Sequence, residues 1–276
     1  MTYKRIKPKP ALSDLVEYFG IQTSNELSDS VTHVLPTNQH DLLIHFADPF
    51  FHHEESAIVT EPFAHLCGQR TRPYKVSASG RTGIVICSFY PWAVYELTGE
   101  PMGRFTNATV EAREVFPGID QVIDKMFCLP NHDAQIELLQ TYLISLLKAP
   151  NLFVRQTCQL LQTNLAPIGD LANELGLSKR HLDRRFLDAV GLTPKTFSRV
   201  NRFQRSLGFR LSKQPAATIA AHCGYHDQAH MNRELKILGG NTAGRILNQT
   251  DSTPLLSQFN APMANASRFY NTLYLQ

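Results

Sequence analysis

The sequence predicts an α+β chain of 276 residues. An N-terminal β barrel or sandwich with flanking helices precedes an all-helical C-terminal domain of two helix-turn-helix motifs joined by a linker helix. Three observations carry this. Short β-branched and aromatic runs separated by Pro, Gly, Asn and Asp fill the N-terminal part, which is the strand signature. A pattern of short apolar helix, glycine and polar helix occurs twice after residue 165. Charge divides along the same line: residues 1–154 hold 12 Lys+Arg against 17 Asp+Glu, whereas residues 155–250 hold 14 against 6. A basic module beside a mildly acidic one is the charge layout of a nucleic-acid binder with a separate sensory or assembly domain.

In chain order, Ala11 to Tyr18 reads as a short helix, and Val31–Leu35, Asp41–Phe46, Ala57–Thr60, His65–Cys67, Tyr74–Ser77 and Gly83–Phe89 read as strands. Pro91 to Leu97, closed by Gly99, reads as a helix opening at a proline. Two helices follow, Ile119–Phe127 and Ala134–Leu147, the second with Ile136, Leu139, Leu143 and Leu147 on one face. A stripe this narrow is an ordinary core face, and pairing with a twin helix in a homodimer is its alternative use.

Ile168, Leu171, Ala172 and Leu175 then recur at spacings of three and four, Gly176 supplies the turn and Ser178 the cap of the next helix. In that helix Leu182, Phe186 and Val190 turn inward, leaving Lys179, Arg180, His181, Asp183 and Arg184 outward. Cations in a first turn oppose the helix dipole by roughly 0.3–1 kcal/mol each unless an anion lies nearby, which points to an anionic partner. The plan returns in Ala217–Lys236, with Gly224 at the turn, Asp227 as cap, and His226, Gln228, Asn232 and Arg233 placed to reach outward. Thr193 and Pro194 open the helix between the motifs, with Phe197, Val200, Phe203, Leu207 and Leu211 inward and Arg199, Arg202, Arg205 and Arg210 mostly outward. A spacer of roughly 16 to 18 residues is about 25 Å long, enough to hold two reading helices near successive major grooves of B-DNA.

Leu171-Ala172, Gly176-Leu-Ser178, Gly191-Leu-Thr-Pro194, Ile219-Ala220, Gly224-Tyr225, Asp227-Gln-Ala-His230, Arg233 and Lys236 resemble, in this order, the DNA-binding domain of AraC/XylS-type transcriptional regulators. Met231 and Leu235 stand where that family usually has Phe, Gly240-Asn-Thr-Ala243 lacks its closing Pro, and Gly239 with Gly240 is expected to fray the second reading helix. The resemblance implies a sequence-specific, effector-responsive regulator. It would contact double-stranded DNA in two adjacent major grooves through Lys179, Arg180, His181, Arg184, His226, Gln228, Asn232 and Arg233, and RNA polymerase if it is an activator. His40-Asp-Leu-Leu-Ile-His-Phe46, Gly68-Gln-Arg-Thr-Arg-Pro-Tyr74 and Phe89-Tyr-Pro91 are similar to the cupin-like sensory domains that precede such domains, which implies a fold and no named ligand. The expected division is a cupin-like sensory or self-association domain over 1–150, the double helix-turn-helix over 151–248, and a tail over 249–276 that is either disordered or docked through its aromatic end.

His33, His45, Trp92 and Tyr95 are the candidates for lining an effector pocket, with plain core residues as the alternative for each. His45, His52, His53, Glu54 and His65 have metal-ligating side chains, but His52-His53-Glu54-Glu55 are consecutive and alternate between faces, so no metal and no other cofactor is expected. Cys223, His226 and His230 lack a fourth ligand and read as structural. With no phosphate loop, Gly-x-Ser-x-Gly elbow or Cys-x-x-Cys pair, no catalytic residue is expected. A cupin-type metalloenzyme with an appended DNA-binding domain is the alternative, which metal content would separate. A helical adaptor for acidic proteins is a third reading. Five widely spaced cysteines, an N-terminus without an apolar segment and no apolar run near 20 residues together imply a reducing, cytoplasmic setting without a membrane anchor, and the resemblance to DNA-binding regulators implies nucleoid association within it.

Overall fold

A computed structural model of the chain describes residues 2–25, 31–54, 56–163, 168–211 and 215–241. The N-terminal strands build two antiparallel sheets. The larger runs β1 (Thr2–Ile6), β2 (Val16–Ser24), β9 (Thr82–Phe89), β4 (His40–His45), β7 (Ala64–Cys67), β10 (Thr109–Glu111). The smaller runs β3 (Val31–Val34), β8 (Tyr74–Ala78), β5 (Phe50–His53), β6 (Ile58–Thr60). Among the described residues each sheet keeps two free edges, so the barrel-or-sandwich expectation resolves to an open sandwich and no closed barrel. Closure would need β1 or β10 to pair with the second sheet, and each pairs only on its inner side, with β2 and β7 respectively.

The central strand explains the layers. All eight residues of β9 are buried, because Ile84 and Ile86 face the second sheet together with Phe50 and Ala78, while Val85, Cys87 and Phe89 face a layer of helices. That layer holds α1 (Ala93–Thr98), α2 (Ile119–Phe127) and α3 (His132–Ser145). The stripe of α3 is used inside the chain: Ile136, Leu139 and Leu143 are buried, while Leu147 lies beyond the helix and is exposed. The helix expected over Ala11 to Tyr18 is corrected to a single 3-10 turn at Pro10–Leu12, and Val16 onward is strand. Val16 and Tyr18 pair with Phe89 and Ser88 of β9, and from Phe19 onward β1 adds a second partner strand, which overrides a weak local helix signal.

Six further helices follow among the described residues: α4 (Leu152–Thr163), α5 (Ile168–Glu174), α6 (Lys179–Val190), α7 (Pro194–Leu211), α8 (Ala216–His222) and α9 (Gln228–Gly239). α4 lies outside the sequence expectations, although Val154, Cys158 and Leu161 give it a buried helical face. Arg155 on α4 pairs with the buried Glu96 on α1 at 2.6 Å and with Asp14 at 3.2 Å. One apolar core runs from Leu12 through the large sheet to Leu171, Leu182, Phe186 and Phe197, so the first helix-turn-helix shares a core with the sheet domain. A second core surrounds the far half of α7, with Phe203, Leu207, Ile219, Met231 and Leu235 joined by Leu35 from the loop after β3. All five cysteines are free thiols. No helix among the described residues is long and apolar enough to cross a membrane. The tail over 249–276 and residues 242–243 of the final motif lie outside the described residues.

Candidate nucleic-acid interface

The first motif is set by local chemistry. Gly176 takes φ +65°, the Leu177 N–H returns to Ala172 O at 2.9 Å, and Ser178 Oγ accepts from the His181 N–H at 3.3 Å to cap α6. The second motif repeats it with one extra residue before the cap. Gly224 takes φ +72°, the Tyr225 N–H returns to Ala220 O at 2.9 Å, and Asp227 Oδ1 accepts from the His230 N–H at 2.6 Å. That N–H and the His226 ring hold the Asp227 carboxyl below its usual range, so the cap carries full charge at neutral pH. α9 runs through Gly239 and stops at Gly240, φ +69°, so the expected fraying at the glycine pair is corrected to a defined end in which Gly239 is buried.

Lys179, Arg180 and Arg184 on α6 are exposed and His181 is half-buried; His226 before α9, and Gln228, Asn232 and Arg233 on it, are exposed. Arg185, one residue from Arg184, turns the other way and lies 4.0 Å from the centroid of the Phe153 ring on α4. The outward reading of the α7 arginines is corrected. Arg199 makes a two-point pair with Glu234 on α9 at 2.5 and 3.0 Å, and Arg205 is buried, donating to His222 O at 3.2 Å. Arg202 is half-buried beside Tyr225, and the side chain of Arg210 lies outside the described residues. The reason is that α7 is wrapped by both motifs, leaving little of its circumference to solvent. Phe186 meets Phe197 edge-on at 5.3 Å near its start, and Phe203 and Leu207 anchor α8 and α9 further along.

The four effector-pocket candidates do not share a wall. His45 pairs with Ile84 at one end of β9, while Trp92 follows Phe89 at the other end, about 17 Å away at strand spacing. Trp92 stacks on Tyr90 and donates to Asp14 O at 2.8 Å, and Tyr95 packs against the helical core. His33 sits in the smaller sheet opposite Lys75, where burial lowers its pKa. A different cavity, of about 500 Å3, is lined by His52, His53, Arg70, Arg72, Tyr74 and Asn107, among others.

Residues 171–249 match the family model of a helix-turn-helix domain. The C-terminal region is an AraC-type helix-turn-helix domain. Residues 4–111 match a domain of unknown function, DUF6597. The chain matches no curated protein. Among solved structures, ToxT from Vibrio cholerae with an unsaturated fatty acid bound is 10% identical, covering 84% of this chain and 95% of that one at a TM-score of 0.48. ToxT bound to (E)-4-(8-methylnaphthalen-1-yl)but-3-enoic acid is 8% identical, covering 91% and 100% at 0.46. A likeness this distant assigns no residue a role.

The AraC-type domain touches the sheet domain at the ends of α6 and α9. Thr106 Oγ1 donates to Gly191 O at the close of α6, and Gly240 at the close of α9 lies against Pro73. An AraC-type helix-turn-helix supports a DNA-binding transcriptional regulator.

Proposed function

We propose that the protein is a sequence-specific DNA-binding transcriptional regulator that reads duplex DNA with α6 and α9 in two adjacent major grooves, and whose DNA affinity responds to a small molecule bound in the sheet domain. The observation that carries the DNA reading is the pair of capped helices, each with exposed polar and basic side chains, fastened to one helix of 18 residues. At 1.5 Å per residue that helix is about 27 Å long, close to the roughly 34 Å between successive major-groove faces once the width of the motifs is added. Lys179, Arg180, His181 and Arg184 serve the first groove, and His226, Gln228, Asn232 and Arg233 the second. Arg suits guanine edges, and Asn and Gln suit adenine edges.

The effector reading rests on where the 500 Å3 cavity lies. Asn107 lines it and follows Thr106, which bonds the end of α6; Pro73 lines it and abuts the end of α9. A ligand that shifts either wall acts directly on a reading-helix terminus, and Arg70 and Arg72, set against the carboxylate of Glu54, favour an anion. Asn107 itself holds φ +59°, uncommon outside glycine, clamped by bonds from Arg70 and the Thr71 N–H.

Selection of bound sites from random duplex DNA with the full chain tests the DNA reading. The expected outcome is a site with two short conserved blocks about one helical turn apart, bound with an affinity that falls steeply with salt. Salt-insensitive binding, or none with sequence preference, would reject it.

A further inference from the structure

His45 ends β4, His65 lies on the neighbouring β7, and Glu61 stands in the turn between β6 and β7, where its N–H bonds Phe50 O at 2.8 Å. Because Leu43 is paired with His65, and Ile44 and Leu66 face the helices, both histidines project into the space between the sheets. There the rings stack with centroids 5.2 Å apart. The Nε2 atoms of His45 and His65 lie 3.7 and 3.8 Å from the same oxygen, Glu61 Oε2, and the side chains are only 4%, 0% and 4% exposed for His45, His65 and Glu61. One donor atom from each falls within 4.8 Å of the others.

Three of the four ring nitrogens, both of His45 and Nε2 of His65, are buried without a hydrogen-bond partner. The fourth is informative. His65 Nδ1 lies 2.8 Å from Pro62 O, and since a carbonyl only accepts, the proton is on Nδ1 and the Nε2 lone pair is turned toward the carboxylate. A histidine that ligates through one nitrogen characteristically donates its other N–H to a carbonyl in this way. A plain buried His–Glu–His ion pair fits less well. Separations of 3.7 and 3.8 Å exceed hydrogen-bond length, and the buried nitrogens would be left with their desolvation uncompensated.

We propose that His45, Glu61 and His65 bind one divalent first-row transition ion such as zinc(II), through two imidazole nitrogens and one carboxylate, with a remaining position for water or an exogenous donor. Donors around zinc at 2.0–2.1 Å stand about 3.4 Å apart in a tetrahedron, so the side chains need to close by a few tenths of an ångström at the shorter separations. Arg70, which interacts electrostatically with both Glu61 and His65, also lines the 500 Å3 cavity, placing that cavity beside the site. The guanidinium of Arg70 is committed to Asn107 O and Thr109 Oγ1 at 2.6 and 2.5 Å. The sequence expectation of no metal rested on consecutive His52, His53 and Glu54; the tertiary structure brings in Glu61, four residues before His65. The site lies within the DUF6597 segment, so it stands or falls independently of the DNA-binding reading.

Full-length protein stripped with a chelator is titrated with cobalt(II), then with zinc(II) against a chromophoric competitor. The expected result is one equivalent of cobalt with visible d–d bands, displaced by zinc. It should be abolished in Glu61→Gln and His65→Gln, and retained in a His226→Gln/His230→Gln double variant that removes the histidine pair on the second motif. Absence of a stoichiometric site in the wild-type protein overturns the proposal, as does cobalt binding that survives Glu61→Gln and His65→Gln or vanishes only in the His226/His230 variant. If either buried variant fails to fold, X-ray absorption of the wild-type zinc complex decides: two imidazoles in the coordination shell support the site, and fewer overturn it.

Discussion

Asn38 Nδ2 donates to Asn201 Oδ1 at 2.6 Å and to Phe197 O at 3.0 Å, with both asparagines buried. Asn38 belongs to the loop before β4, and Asn201 to the middle of α7, between the stretches that support the two motifs. Gln69 holds Asn38 O at 2.6 Å from behind, and Gln204 on α7 donates to Pro36 O at 3.0 Å. The sheet domain therefore grips the connecting helix at its midpoint.

Asn38→Ala strands the Asn201 oxygen in a buried site and should destabilise the chain by about 1–3 kcal/mol in urea unfolding. Asn201→Ala should act in the same direction, and the double variant should fall short of the sum, because both remove one shared bond. Strict additivity would mean that the two side chains act separately.

Arg184→Ala should weaken discrimination in one block of the selected DNA site only, and Asn232→Ala in the other only, each by about 1–3 kcal/mol at the base concerned. Base-by-base substitution of the site, measured against both variants by fluorescence anisotropy at fixed salt, separates the effects. If Asn232→Ala is silent at every base, the second motif braces the first and reads nothing.

Gly191 has φ +90°, and a Cβ there would stand 2.9 Å from Met102 O in the sheet domain. Gly191→Ala should therefore cost more than the backbone strain of roughly 1–2 kcal/mol alone. Gly176→Ala is the control, since φ is +65° but nothing lies within 4 Å of the added carbon. Equal thermal shifts for the two would show that the contact between α6 and the Met102 segment adds nothing.

Burial pushes His40 down to about 3. The folded chain thus keeps a neutral imidazole where the unfolded chain protonates near 6.5, so acid favours the unfolded state. The stability contribution is complete above about pH 6.5 and is lost as pH falls toward 3, by up to about 1.4 kcal/mol per pH unit. Urea midpoints at pH 7.5 and 5 should diverge less in His40→Gln than in the unaltered chain. The same divergence in both would assign the acid sensitivity elsewhere.

Both helix-turn-helix motifs were legible in the sequence because everything that makes them is local. Leu182, Phe186 and Val190 mark a buried face by spacing alone, Gly176 and Gly224 supply the positive φ, and Ser178 and Asp227 cap within three residues of the N–H they serve. The six strands expected from the sequence share one feature, a compact β-branched or aromatic run between turn formers. β2 lacked it, since Glu17, Gly20 and Gln22 interrupt the run and its partners β1 and β9 lie far along the chain or precede a turn.

What only the tertiary structure decided are the pairings between segments that no spacing rule links. Arg199 and Arg205 read as solvent-facing from helical periodicity, yet one meets Glu234 and the other the His222 carbonyl, because a helix wrapped by two motifs has little solvent face to give them. His45, Glu61 and His65 stand on different segments of a sheet sandwich, and their meeting depends on the register of β4 against β7, which is set by hydrogen bonds between strands about twenty residues apart. Sequence by itself determined the local motifs and the charge that suits them to DNA; the enclosure of those three side chains, and the hold of Asn38 on α7, came from packing over long separations, where identity and spacing carry no distance.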